Sequence, residues 1–195
     1  MKTSFTSNFL DSTIKQFNYY KLLGDNTFSQ LSDKDLFWQS PSENNSIAII
    51  VNHMHGNMLS RWTDFLTTDG EKDFRNRDQE FEDLIKTRKE LNDKWAEGWK
   101  VLFTALDSVN EDNFEQLVYI RNQGHTIIEA INRQLAHYAY HVGQIVLLGQ
   151  LRKGKNWKSL SIPKGESKIY NQQKFSQEKK RGHFTDEFLK DTDDV

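Results

Sequence analysis

Arg133-Gln134-Leu135-Ala136-His137-Tyr138-Ala139-Tyr140-His141-Val142-Gly143-Gln144 sits inside a long proline-free run of a 195-residue chain. His137 and His141 are four residues apart. On an α-helix that spacing stacks the two side chains on one face, one turn above the other. Two imidazoles so placed can hold one divalent metal ion. The residue after His137 is Tyr138, so this is not the H-E-x-x-H metalloprotease helix, whose glutamate is the base. If the segment is a helix carrying two ligands, the rest of the chain must provide a third ligand and a helical scaffold.

The surrounding pattern predicts such a scaffold. The two prolines, Pro41 and Pro163, lie outside the periodic segments. A first helix is predicted from about Ser4 to Leu31, with Phe9, Ile14, Phe17, Leu23 and Phe28 at roughly helical spacing and Gly24-Asp25 kinking or loosening its end. Ser32-Asp33-Lys34-Asp35 reads as a short capped turn before Leu36-Phe37-Trp38, and 40–45 as a loop. Ser46 is a suitable N-cap for a second helix from Ile47 to about Leu66, with Ile47, Ile50, Val51, Met54, Met58, Trp62 and Phe65 on one side. After a polar connection, a third helix is predicted from near Gln79 to Val109, striped by Leu84, Arg88, Leu91, Trp95, Trp99, Leu102 and Leu106. Residues 114–121 read as extended, with a hairpin turn at Asn122-Gln123-Gly124. The fourth helix runs from near Thr126 to Arg152, and Ile127, Ile131, Leu135, Tyr138, Val142, Ile145 and Gly149 form its stripe. The fold class expected is all-α, with a domain over 1–170 and a charged C-terminal extension over 171–195 that Phe175, Phe184 and Phe188 would anchor.

Composition narrows the function. The formal net charge is -2 with acids and bases interleaved, so there is no broad basic field for nucleic acid. The absence of cysteine removes disulfides, thiolate ligands and a cysteine nucleophile. No apolar leader and no stretch of membrane-span length is present, and the expectation is a cytoplasmic protein that contacts neither membrane nor nucleic acid. Neither a serine elbow nor a phosphate-cradling glycine loop occurs.

Six histidines are available: His53, His55, His125, His137, His141 and His183. A single helical histidine is more often a packed or surface residue than a ligand; the His137–His141 pair is the stronger signal. At ~100° per residue the pair borders the apolar stripe of the fourth helix, beside a groove between helices. His53 and His55 are ~160° apart around the second helix, so they cannot both reach one metal. The apolar stripe lies nearer His55, and spacing alone leaves the third ligand open. Gln144, one turn beyond His141, is placed to support a ligand from behind. Asn57 and Arg61 follow His53 at one-turn intervals, and Arg133 precedes His137 by one turn. These three could orient an anionic substrate; as single residues, the arginines are more commonly surface or ion-pair groups.

Two stretches together resemble a known family. Ser46-Ile47-Ala48-Ile49-Ile50-Val51-Asn52-His53-Met54, followed by Gly56-Asn57-Met58-Leu59-Ser60-Arg61-Trp62-Thr63-Asp64-Phe65-Leu66, is similar to the second helix of DinB-like (YfiT-like) proteins. His137-Tyr138-Ala139-Tyr140-His141-Val142-Gly143-Gln144 resembles their H-x-x-x-H-x-G-Q stretch, and more narrowly that of the uncharacterised YizA-type subfamily. The resemblance spans about Phe5 to Tyr170. It implies an up-down four-helix bundle with a long crossover, a divalent metal, often nickel or zinc, on three histidines, and a homodimer. On this chain it selects His53, His137 and His141 as ligands and leaves out His55. Some relatives of that family are transferases or isomerases that use a low-molecular-weight thiol.

The expected function is metal-dependent chemistry on a small molecule, either hydrolysis or thiol transfer. The alternative is a non-catalytic bundle in which the metal staples two helices of a dimerisation or binding module. A third reading has no metal, with His137 and His141 as packing residues.

Overall fold

The structure, a computed structural model, describes residues 4–39 and 44–189. Helix α1 (Phe5–Gln30) begins at Ser4, whose side chain accepts the Ser7 N–H. It runs unbroken through Gly24 and Asp25, where the end was expected to kink or loosen. The reason is tertiary. The Trp95 ring lies where a Cβ on Gly24 would stand, and the Trp95 indole N–H donates to Asp25 Oδ1 at 2.7 Å. Gly24 therefore permits a close approach between helices and does not act as a break. The single turn α2 (Asp33–Leu36) has a reciprocal Ser32–Asp35 capping box and buries Leu36 completely. The next loop is described only from Asn44; Pro41 and the rest of 40–43 lie outside the described residues.

Ser46 caps α3 (Ile47–Trp62), as its position before the apolar run predicts. The helix stops at Trp62, short of the expected Leu66, and Asp64 adopts φ 48 in the turn that follows. The third expected helix also starts later than its pattern suggested. Residues 79–81 form only a single 3-10 turn, and α4 (Arg88–Asp107) opens at Thr87. There the Thr87 hydroxyl accepts the Glu90 N–H and the Glu90 carboxylate accepts the Thr87 N–H. Leu84, placed on the apolar stripe by spacing, is 54% exposed. Arg88 reaches back to the end of α1, donating to the carbonyls of Phe28 and Leu31 and to Asp33.

Strands β1 (Leu117–Ile120) and β2 (Gln123–Thr126) pair antiparallel. Their turn is Arg121-Asn122, with φ 56 and 60, one residue earlier than expected. Two positive φ values match the twist a tight hairpin needs. Asp69 holds this turn by accepting the N–H groups of Arg121 and Asn122, both at 2.8 Å. Gly70 N–H donates to Tyr119 O at 2.7 Å. The connection after α3 is thus stitched to the hairpin. Helix α5 (Ile127–Lys153) follows from a Thr126–Glu129 capping box.

The chain is mostly helical, and the four long helices meet in one core. Phe17 of α1, Trp62 of α3, Trp99 of α4 and Tyr138 of α5 are all essentially buried. Phe17 lies 6.3 Å from Trp62, 6.3 Å from Trp99 and 6.0 Å from Tyr138 by ring centroids. Burying each such ring contributes on the order of 1.5–3 kcal/mol. In the C-terminal part, α6 (Ser167–Phe175) buries no residue, and it spans the expected boundary at 170/171. Phe184 and Phe188 pack on Tyr19, with centroids 5.8 and 5.1 Å away. Phe175, the third expected anchor, is 85% exposed and holds nothing down. Residues 190–195 of the extension lie outside the described residues. Among the described residues, no helix is long and apolar enough to cross a membrane.

Candidate metal centre

Helices α3 and α5 bring His53, His137 and His141 together, with one potential ligand atom from each within 4.8 Å of the others. His137 Nε2 lies 3.0 Å from His141 Nε2 and 3.3 Å from His53 Nε2. Three nitrogens bound tetrahedrally at about 2.0–2.1 Å from one ion would be spaced by about 3.3–3.4 Å. The two separations from His137 are therefore close to ligand spacing. His55, which spacing had left open, points elsewhere: its Nε2 pairs with Glu97 Oε2 at 2.8 Å. The stripe could not choose between the two because α3 is buried nearly all round; only Gly56 and Leu59 are not.

The backs of two rings are fixed. His53 Nδ1 donates to Glu80 Oε2 at 2.9 Å, and His141 Nδ1 donates to Gln144 Oε1 at 2.9 Å. Holding the proton on Nδ1 leaves the Nε2 lone pair facing the cluster, the arrangement that metal-binding histidines generally require. Gln144 thus stands where the helical spacing placed it. Glu80 is a residue that spacing did not find. It is 5% exposed and receives two hydrogen bonds from Arg75, through Nε at 2.7 Å and Nη2 at 3.0 Å. Burial alone would raise the Glu80 pKa; the hydrogen bonds from His53 and Arg75 outweigh it and hold the carboxyl below its ordinary value. Room for Glu80 comes from Gly56, since a side chain there would collide with the carboxylate. Asn52 Nδ2 also donates to the Glu80 carbonyl at 3.1 Å. The Phe81 ring stacks on His53, 4.5 Å between centroids.

Burial lowers the pKa of His137 to about 3, and the neighbouring His141 and His53 act in the same direction. Burial likewise lowers His141 to about 4 against the opposing hydrogen bond to Gln144. Both rings are neutral at neutral pH, the state a metal needs.

The cluster opens into a cleft of ≈ 540 Å³. Asn57, Arg61, Arg133 and Gln144 all line it. Asn57 is occupied, with Oδ1 accepting from the Tyr138 hydroxyl at 3.0 Å, which itself accepts from Trp62 Nε1 at 3.0 Å. Arg61 is 6% exposed and is spent on the Gly70 carbonyl and on Glu71. It fastens the connection to α3. Arg133 is exposed, and no carboxylate pairs with it among the described residues. His125 has a buried Nε2 without a partner in the hairpin, and His183 bonds Ser12 and Thr185 in the C-terminal part; neither joins the cluster.

A family model described as protein of unknown function (DUF1572) matches residues 4–166, and the chain belongs to that family. No curated protein and no solved structure gives a significant match.

Proposed function

We propose that this protein holds a divalent metal on His53, His137 and His141 and uses it to act on a small molecule, by hydrolysis or by transfer of a low-molecular-weight thiol. The observation that carries the reading is the convergence of three histidine rings, with His137 Nε2 3.0 Å from His141 Nε2 and 3.3 Å from His53 Nε2 and two of the rings oriented from behind, at the floor of an open cleft. Neutral imidazoles suit zinc or nickel. The likeness to DinB-like proteins, with four long helices and a long connection between α3 and α4, supports an up-down four-helix bundle with a crossover. A homodimer and a cytoplasmic location belong to the same reading.

Held by His53, His137 and His141, a divalent ion would supply an open, Lewis-acidic position that lowers the pKa of a water or thiol towards neutrality. The chain's own residues set the conditions. Glu80 and Gln144 keep the Nδ1 protons and the ring orientations. Phe81 covers one face of His53 and keeps water from it. Gln144 also donates to the Tyr140 hydroxyl at 3.1 Å, tying the rim of the cleft to the ligand His141. Among the described residues no carboxylate lines the cleft, so a bound metal, and not a side-chain base, would be the group that activates a nucleophile there.

The opening favours catalysis over a metal staple, and a spectroscopic experiment separates them. Cobalt-substituted protein is mixed with a panel of thiols, electrophiles and hydrolysable esters. The expected result is a shift of the visible cobalt bands by one class of compound, with turnover that His141→Ala abolishes. Bands unmoved by every compound, together with a fourth protein ligand, would make the metal structural.

A further inference from the structure

We infer that the cleft above the three histidines is an oxyanion site, built to take a small organic anion by its phosphoryl or carboxylate group. The inference deepens the proposed function by naming the class of molecule, and it rests on that reading only for which chemistry follows binding.

Among the described residues five arginines line this cleft, Arg61, Arg75, Arg77, Arg121 and Arg133, and no aspartate or glutamate does. Three of them are already neutralised from behind. Glu71 accepts from Arg61 at 3.2 Å, Arg75 at 3.3 Å and Arg121 at 3.2 Å, while Glu80 takes the rest of Arg75. Two carboxylates thus serve three guanidiniums. Arg77 and Arg133 have no carboxylate partner among the described residues. Arg77 is nonetheless positioned: its guanidinium lies 5.4 Å from the centroid of Phe81, the ring that stacks on His53. A guanidinium resting on an aromatic face keeps its in-plane donors free for a planar or tetrahedral oxyanion. Arg133 projects from α5 one turn before His137, on the side that faces the cleft. The ligand set adds to the imbalance, since three neutral imidazoles compensate none of a metal's charge. Gln134 supplies a second, independent sign of a missing ligand. It is 3% exposed, lines the same cleft, and its buried Oε1 accepts no hydrogen bond. An unmet buried acceptor is costly. A ligand that brings both an oxyanion and a hydroxyl or amine donor would satisfy the arginines and Gln134 together.

The probes are inorganic phosphate and succinate, titrated calorimetrically into the full-length protein as purified and after metal removal, with glycerol as the neutral control. Binding of at least one anion in both forms is expected, weakening as salt rises. Each of Arg77→Gln and Arg133→Gln should weaken it about tenfold, because each removes a charge-assisted hydrogen bond to the anion. Both residues are exposed, so the variants fold. Phosphate bound more tightly than succinate assigns a phosphoryl ligand, and the reverse assigns a carboxylate; either upholds the site. Wild-type protein that binds neither anion, or a double variant that binds as well as wild type, overturns it. The metal-free arm keeps this outcome separate from the fate of the metal reading: either can fail with the other intact.

Discussion

Glu80 matters to the site as much as the ligands, yet nothing in its surroundings announces it. It lies 27 residues after His53 in the run Asp78-Gln79-Glu80-Phe81-Glu82-Asp83, where the third helix was expected to begin. Helical spacing relates residues on one helix, and so it finds His137, His141 and Gln144. It cannot relate a helix to a connection that folds back over it. The same limit hid Arg75 and Arg77. The carboxylate both orients His53 and neutralises Arg75, whose side chain is 3% exposed. Glu80→Gln keeps an acceptor for His53 but removes the charge. Metal affinity should fall by about 10–100-fold, as for other partners behind metal-bound histidines. A competition titration against a chromophoric chelator measures this, and an unchanged affinity would show that Glu80 does not tune the site. The variant should also lower the unfolding temperature, because it breaks a buried ion pair and leaves Arg75 only the 3.3 Å contact with Glu71, which Arg61 and Arg121 share.

At the scale of elements, the apolar stripes located all four long helices, and errors arose where two local signals competed. Leu84 continues the spacing of α4 backwards from Arg88, and the expected helix was begun near Gln79. Thr87-x-x-Glu90 was the stronger signal, since a reciprocal cap ends the run of free N–H groups. Gly24 shows the opposite error. A glycine in a helix costs about 1 kcal/mol relative to alanine, and propensity alone suggests a weak point. Its purpose becomes visible only when Trp95 is placed against it from α4. Gly24→Ala is therefore expected to destabilise the protein by about 1–3 kcal/mol through overpacking, despite the better helix former. Urea unfolding measures the change, and a gain in stability would mean that the ring moves aside without cost.

For the whole molecule, two of the four long helices carry the ligands and the long connection after α3 supports His53 from behind, so folding and site assembly are one event. This coupling has a sign with pH. His137 and His141 have folded pKa values of about 3 and about 4, below the 6.5 expected when unfolded. Above that value neither state binds these protons. Below it the unfolded chain takes up protons that the fold refuses, so stability falls as the pH drops towards 4. Thermal unfolding of metal-free protein from pH 7.5 to 4.5 should show this decline, and His137→Ala should make it shallower. A profile indifferent to that substitution would mean that the ring titrates freely in the fold.

The most direct measurement is X-ray absorption at the metal edge of tag-free protein loaded with zinc or nickel and then dialysed. The account predicts one metal per chain with three imidazole nitrogens at about 2.0–2.1 Å, and loss of the metal in His53→Ala as fully as in His137→Ala. A wild-type protein that retains no metal, or a bound ion without imidazole scattering, would contradict it.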